Sequence, residues 1–232
     1  MTIKGCMFDF SGTLLRVEAT ENWLRAVLDD ACVPVTGAEV AEYAQRLERL
    51  GALPGGISPQ VLPRHLEQPW AERDLTPECH RAVYTGLARQ AELPWGDEVY
   101  DTLYARHMTP AAWNPYPDTA EVLRELRQRG IPVAVVSNIG WDLRPVFRAY
   151  GLDVLVDAFV LSYEHGVQKP DPRLFRTACE LLGLPPEQVA MVGDDRRADT
   201  GAAALGCPVH LVDHLPVDQR PGALLPVLDL VG

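Results

Sequence analysis

The chain has 232 residues, 47% apolar and 23% charged, enough to bury one large core or two unequal ones. A formal net charge of −11 argues against a surface built to neutralise nucleic acid phosphates and leaves small molecules as the expected partners. No apolar run approaches the roughly 20 residues that span a bilayer, and no basic segment followed by a long apolar stretch opens the chain, so a cytoplasmic protein without membrane contact is expected.

The segment from Ile3 to Phe10 is short and apolar, and it runs through Asp9 into a Ser-Gly-Thr turn, so it reads as a buried strand with Asp9 at its carboxyl end. From about Glu18 to His107 the spacing becomes helical, as in Val40, Tyr43, Ala44, Leu47 and Leu50, broken by Leu53-Pro54-Gly55-Gly56 and several prolines. This stretch predicts an all-helical insertion, closed by a proline-rich link over Pro110 to Pro117. Beyond the link the pattern alternates: helix Asp118–Arg129, strand Ile131–Ser137, helix Trp141–Tyr150, strand Ala158–Leu161. It continues with a helix from Asp171-Pro172 to Gly183, strand Val189–Gly193, helix Arg197–Leu205, strand Val209–Val212 and one short helix after Pro221.

Strands alternating with helices imply an α/β fold with a mostly parallel sheet covered on both faces, and ligands on such sheets bind beyond the carboxyl ends of the strands. Asp9, Ser137 and Asp194 each close an apolar strand or follow one directly, which would deliver three polar groups to one crevice. Of the 21 basic residues only Lys4 and Lys169 are lysines, which makes Lys169 conspicuous. The cysteines, at 6, 32, 79, 179 and 207, are scattered without zinc or dithiol spacing and are expected to be reduced.

Four runs carry a more specific signal. Asp9-Phe10-Ser11-Gly12-Thr13-Leu14-Leu15, Val135-Val136-Ser137-Asn138, Lys169-Pro170-Asp171-Pro172, and Val192-Gly193-Asp194-Asp195 with Asp199 five residues after Asp194 resemble, in order, the four motifs of the haloacid dehalogenase (HAD) superfamily. The resemblance implies a Rossmann-like core, residues 1–15 and 113–232, with a smaller all-helical cap, residues 16–112, inserted after the first motif. It further implies that Asp9 is a nucleophile forming an aspartyl-phosphate. A magnesium ion would be held by Asp9, the main-chain carbonyl of Ser11 and Asp194, with Asp199 and Asp195 in support. Ser137 and Lys169 would hold the transferring oxygens, helped by the amides of Gly12 and Asn138. The substrate class implied is a small phosphorylated metabolite.

One position departs from the phosphatase pattern. Phosphatases of this superfamily carry a second aspartate two residues after the nucleophile, as general acid and base, and here that place is Ser11. A serine hydroxyl supplies no proton near neutral pH, so the acid would come from the cap, where His65, His80 and Asp74 are candidates, or the leaving group would need none. Two other readings stay open: a phospho-ligand-binding protein without turnover, and a metal-free 2-haloacid dehalogenase. The Schiff-base route of phosphonate-cleaving members is excluded as normally drawn, because residues 16–112 contain no lysine. Trp70, Trp95 and Trp113 lie in or beside the cap and are read as core filling.

Overall fold

The structure, a computed structural model, describes residues 2–231. Strand β1 (Gly5–Phe8) is followed by a short β2 (Leu15–Val17) and then by five helices, α1 (Thr20–Asp30), α2 (Gly37–Arg49), α3 (Glu67–Ala71), α4 (Pro77–Arg89) and α5 (Glu98–His107). Strand β3 (Trp113–Pro115) returns the chain, and the alternating part follows as α6 (Thr119–Gln128), β4 (Val133–Ser137), α7 (Arg144–Ala149), β5 (Ala158–Leu161), α8 (Ser162–His165), α9 (Pro172–Leu182), β6 (Val189–Gly193) and β7 (Val209–Leu211). Among the described residues, no helix is long and apolar enough to cross a membrane.

Five strands form one parallel sheet in the order β5-β4-β1-β6-β7, with Phe8 paired to Val135 on one side and to Val192 on the other. The chain steps from β1 outward through β4 to β5, then returns to the other flank of β1 for β6 and β7. The direction of winding therefore reverses beside β1, the position at which open α/β sheets form their ligand crevice.

Burial follows the two-residue period of a strand. Cys6 and Phe8 belong to one core cluster with Val133, Val135, Ala190 and Val192, whereas Met7 joins Ala134, Val136, Val189 and Met191 in the other. Helix α9 seals the second face with Leu174, Phe175, Ala178 and Cys179. Its start is set by Asp171, whose side chain accepts from the Arg173 amide, with Pro172 in the first turn, and Gly183 ends it in the left-handed conformation.

The cluster on the first face runs on without a break into the helical segment, where α1 packs on α2 and α5 and α4 packs on α5. Trp23 of α1 is fully buried and donates its indole N–H to the Leu103 carbonyl, 2.9 Å away. A reciprocal capping box fixes the start of α2: Thr36 accepts from the Glu39 amide and the Glu39 carboxylate accepts from the Thr36 amide.

The helical stretch expected from about residue 18 to 107 is present, and so is each strand of the alternating part, β5 and β6 with the expected bounds and β4 and β7 shorter at one end. Two expectations are corrected. The proline-rich link contains β3, which pairs antiparallel with β2 through Leu15–Pro115, Arg16–Asn114 and Val17–Trp113, so the helical segment leaves and returns through a two-stranded ribbon. Three-residue strands are too short for a periodic signal, and their pairing partner is about a hundred residues away. The helix expected over Arg197–Leu205 is a 3-10 helix over Asp199–Leu205, because the preceding turn is tied down by Asp195 and Asp199.

Packing and capping should separate in magnitude. Phe175→Ala should lower unfolding free energy by about 3–5 kcal/mol and Thr36→Ala by about 1 kcal/mol, read from urea unfolding midpoints.

Candidate active site

Asp9 lies one residue beyond β1, its amide donating to the Val192 carbonyl at 2.9 Å, so the central strand aims its carboxylate at the crevice between β1 and β6. Ser137 ends β4 on one side and Asp194 follows β6 on the other. Lys169 arrives from the loop between α8 and α9, its ammonium 2.6 Å from Asp9 Oδ1 and 2.6 Å from Asp199 Oδ1, with only 2% of its side chain exposed. Oxygens of Asp9, Asp194 and Asp199 fall within 4.8 Å of one another. Of the residues expected at the site, Asp9, Ser11, Ser137, Asn138, Lys169, Asp194 and Asp195 line one cavity of about 180 Å³.

Charge in this cluster is unbalanced. Three carboxylates face one buried ammonium. Burial pushes the Asp9 carboxyl well above the usual carboxylate range; Lys169 opposes this, while Asp199 and Asp194 reinforce it. Lys169, which burial alone would push down, is instead held above the ordinary lysine range by Asp199 and Asp9. Asp194, despite its burial, lies below its usual range because His214 Nδ1 stands 2.5 Å from Oδ2 and Thr13 donates to Oδ1 at 3.0 Å.

The turn after Asp9 is built for close approach. Gly12 has φ +84°, and a Cβ there would overlap both His214 and the Asp194 carboxylate. Its amide donates to the Leu15 carbonyl at 2.7 Å and so closes the turn. Arg220 locks the same turn from outside, donating to the Gly12 carbonyl at 2.6 Å and to the Thr13 carbonyl, with its guanidinium over the Tyr116 ring.

Three further residues act through the backbone. The Asn138 side chain accepts from the Lys169 amide at 2.7 Å and donates to the Lys169 carbonyl at 3.0 Å, which fixes the lysine loop. Asp195 is exposed and accepts from the amides of Arg197 and Ala198, so its carboxylate caps the following turn. Asp199 is fully buried; besides Lys169 it accepts from the Asp195 amide, and any Cβ at Gly193 would overlap its carboxylate. The clearest donor to Asp199 is therefore Lys169, and Asp199 holds that ammonium beside Asp9.

Ser11 turns towards the helical segment, its hydroxyl donating to the Gly55 carbonyl at 3.3 Å, where Arg16 also donates at 2.8 Å. Gly55 comes so close that a Cβ on it would lie 2.7 Å from Ser11 Oγ. Of the three candidate acids, His65 is exposed and outside the cavity, whereas Asp74 and His80 are buried and line it. Trp113 is core, packed on Phe10 at 4.4 Å between ring centroids, and Trp95 packs on Tyr43, as the core-filling reading has it; Trp70 and Trp113 also form cavity wall. His214 and Arg220 were not singled out from the sequence. The only local signal for His214 is a polar residue just past the apolar run Val209–Val212; nothing in sequence marks Arg220.

Because the folded protein holds the Asp9 proton more tightly than the unfolded chain does, this group contributes stability at low pH that is lost as pH rises through its folded value. In metal-free buffer near neutral pH, Asp9→Asn should therefore unfold at a higher temperature than wild type, with Lys169 keeping Asp199 as its partner. The advantage should shrink towards about pH 4, the ordinary range for a carboxyl group, as followed by thermal melts across pH.

Comparison with known proteins places this arrangement. A model of the family described as "haloacid dehalogenase-like hydrolase" matches residues 3–206. The chain is 28% identical over 216 residues to (S)-2-haloacid dehalogenase 4A of Burkholderia cepacia, covering 88% of this chain and 80% of that one. It is 41% identical over 91 residues to a phosphoserine phosphatase of Thermus thermophilus, a match spanning 39% of this chain and 36% of the phosphatase. Among solved structures, a dehalogenase with an intermediate complex superposes with a TM-score of 0.66 at 23% identity, covering 91% of this chain and 85% of that one, a likeness of fold. With the four motifs on one sheet edge and the match running through all of them, the chain belongs to the haloacid dehalogenase-like hydrolase family.

Proposed function

We propose that this hydrolase is a magnesium-dependent phosphatase acting on a small phosphorylated metabolite through Asp9, with residues 16–112 serving as a cap over the site. The observation that carries the reading is the charge at the sheet edge: Asp9, Asp194 and Asp199 crowd together while one buried ammonium pairs with only Asp9 and Asp199, leaving an excess of negative charge in the cluster. Hard carboxylate oxygens in excess of cations are the donor set that suits a divalent cation of the magnesium type. Asp9, Asp194 and the Ser11 carbonyl would hold it. When bound, it supplies positive charge against the phosphoryl oxygens.

The chain's own groups do the rest. Asp9 is the group in position to attack phosphorus, and Lys169 neutralises it so that a polyanionic ester can approach. Ser137 and Asn138 line the same cavity and can donate to phosphoryl oxygens from the far side of β1. A cavity of about 180 Å³ suits a small substrate rather than a polymer.

The long match to a 2-haloacid dehalogenase supports a second reading, displacement of halide at carbon by the same Asp9. Asp194 separates the two, since a metal-free displacement gains nothing from a further carboxylate beside the nucleophile. Release of phosphate from p-nitrophenyl phosphate should require magnesium, stop in excess chelator and fall by on the order of 10³-fold or more in Asp9→Asn. Halide release from 2-chloropropionate that persists in chelator, without phosphate release, would replace the phosphatase reading with the dehalogenase one.

A further inference from the structure

Resting on the phosphatase reading, we infer that Asp74, delivered by the helical segment, is the general acid and base that the Ser11 position lacks. Its main chain is clamped by the two loops that carry active-site residues. The Asp74 amide donates to Gln168 Oε1 at 3.0 Å, and Gln168 precedes Lys169. The Asp74 carbonyl accepts from Ser162 Oγ at 2.6 Å, and that hydroxyl in turn accepts from the amide of Ile139, which follows Asn138. At this residue the helical segment is thus pinned to the sheet edge that carries Asp9 and Lys169.

The side chain is placed for chemistry. Asp74 lines the cavity that holds Asp9, Ser11, Ser137 and Lys169, with 5% of its side chain exposed. Its ion-pair partners are Arg73 Nε at 3.4 Å and His80 Nε2 at 3.8 Å, longer than ordinary hydrogen bonds, and the buried Arg73 Nε has no hydrogen-bond partner. A nearly buried carboxyl group without a close partner, facing a reaction cavity, is costly unless it is protonated or meets a ligand. Burial pushes the Asp74 carboxyl above its usual range, with Arg73 and Lys169 opposing. The other groups that face it, His80 and Tyr84, carry no charge near neutral pH: burial drives His80 well below the ordinary histidine range and Tyr84 above the ordinary tyrosine range. His80 is hydrogen-bonded to the Tyr104 hydroxyl at 2.8 Å.

In the first step the Asp9 oxygen forms a bond to phosphorus, the bond to the ester oxygen breaks with its electron pair, and that oxygen takes the Asp74 proton and leaves as an alcohol. In the second, the Asp74 carboxylate takes a proton from water, the water oxygen bonds to phosphorus, and the bond to Asp9 breaks, releasing phosphate and restoring both carboxyl groups. Ser11 then has a different use: its small side chain lets Gly55 approach, so that the helical segment closes over the nucleophile and brings Asp74 in.

The test compares leaving groups in the magnesium-loaded enzyme. Asp74→Asn should cut kcat/KM for an alkyl phosphate such as glycerol 2-phosphate by about 10²- to 10⁴-fold while changing p-nitrophenyl phosphate by less than about threefold, because nitrophenolate leaves without a proton. Asp74→Glu should recover part of the loss, and matching melting temperatures would show that both variants fold. Equal losses on both substrates, no loss on either, or a loss confined to substrates bearing an amino group would overturn the proposal, the last making Asp74 a recognition residue. Wild type inactive on both esters would remove the phosphatase reading itself, a result distinct from any of these.

Discussion

A single ammonium between two carboxylates organises the carboxyl edge of the sheet. Lys169 bridges Asp9 and Asp199, and each partner is itself fixed: Asp9 by the end of β1, Asp199 by the Asp195 amide and the space left by Gly193. Removing Lys169 would leave two buried carboxylates facing each other without a cation, the kind of loss that typically costs about 3–5 kcal/mol. The Asn138 side chain grips both backbone groups of Lys169, so the loop carrying the lysine is held to the end of β4 as firmly as its head is held to β1. Three strands and a loop therefore meet at one charge.

The arrangement stores unfavourable electrostatics for use in chemistry. Asp194 adds a third carboxylate, and the protein answers it with Thr13 and His214, a hydroxyl and an imidazole, and, among the described residues, with no lysine or arginine hydrogen-bonded to its carboxylate. A site left short of positive charge favours a cation, the physical basis of the metal-dependent reading proposed above. The same imbalance lowers the stability of the fold, the usual relation between a working site and the scaffold that carries it.

The helical segment and the sheet share one continuous apolar cluster, yet they touch the chemistry at only a few polar points. At Ser11 and Arg16 the carbonyl of Gly55 is drawn down onto the turn after Asp9, and at Ser162 and Gln168 the main chain of Asp74 is held beside the loops that carry Lys169 and Asn138. Trp113, packed on Phe10 next to Asp9, joins the ribbon at the base of the helices to the core of the sheet. The neighbours of the site can thus vary with the helical segment while Asp9, Lys169 and Asp194 remain on the sheet, which fits a family whose members include both dehalogenases and phosphatases.

Much of this was legible in the chain itself. Apolar runs that each deliver Asp9, Ser137 or Asp194 determined a parallel sheet with its polar residues at one edge, because a buried strand needs side chains of one kind and a crevice needs the other. The conspicuous Lys169 and the spacing of Asp194 and Asp199 marked the charged cluster. Only the tertiary structure decided the rest. The β2–β3 ribbon, the turn-locking Arg220 and the placement of Asp74 in the cavity, with His65 outside it, depend on pairs of residues far apart in sequence, and even the His214 partner of Asp194 is 20 residues away. Local periodicity carries no record of a contact whose two halves are about a hundred or two hundred residues apart, and a carboxylate reads the same in sequence whether it caps a turn, as Asp195 does, or faces a substrate.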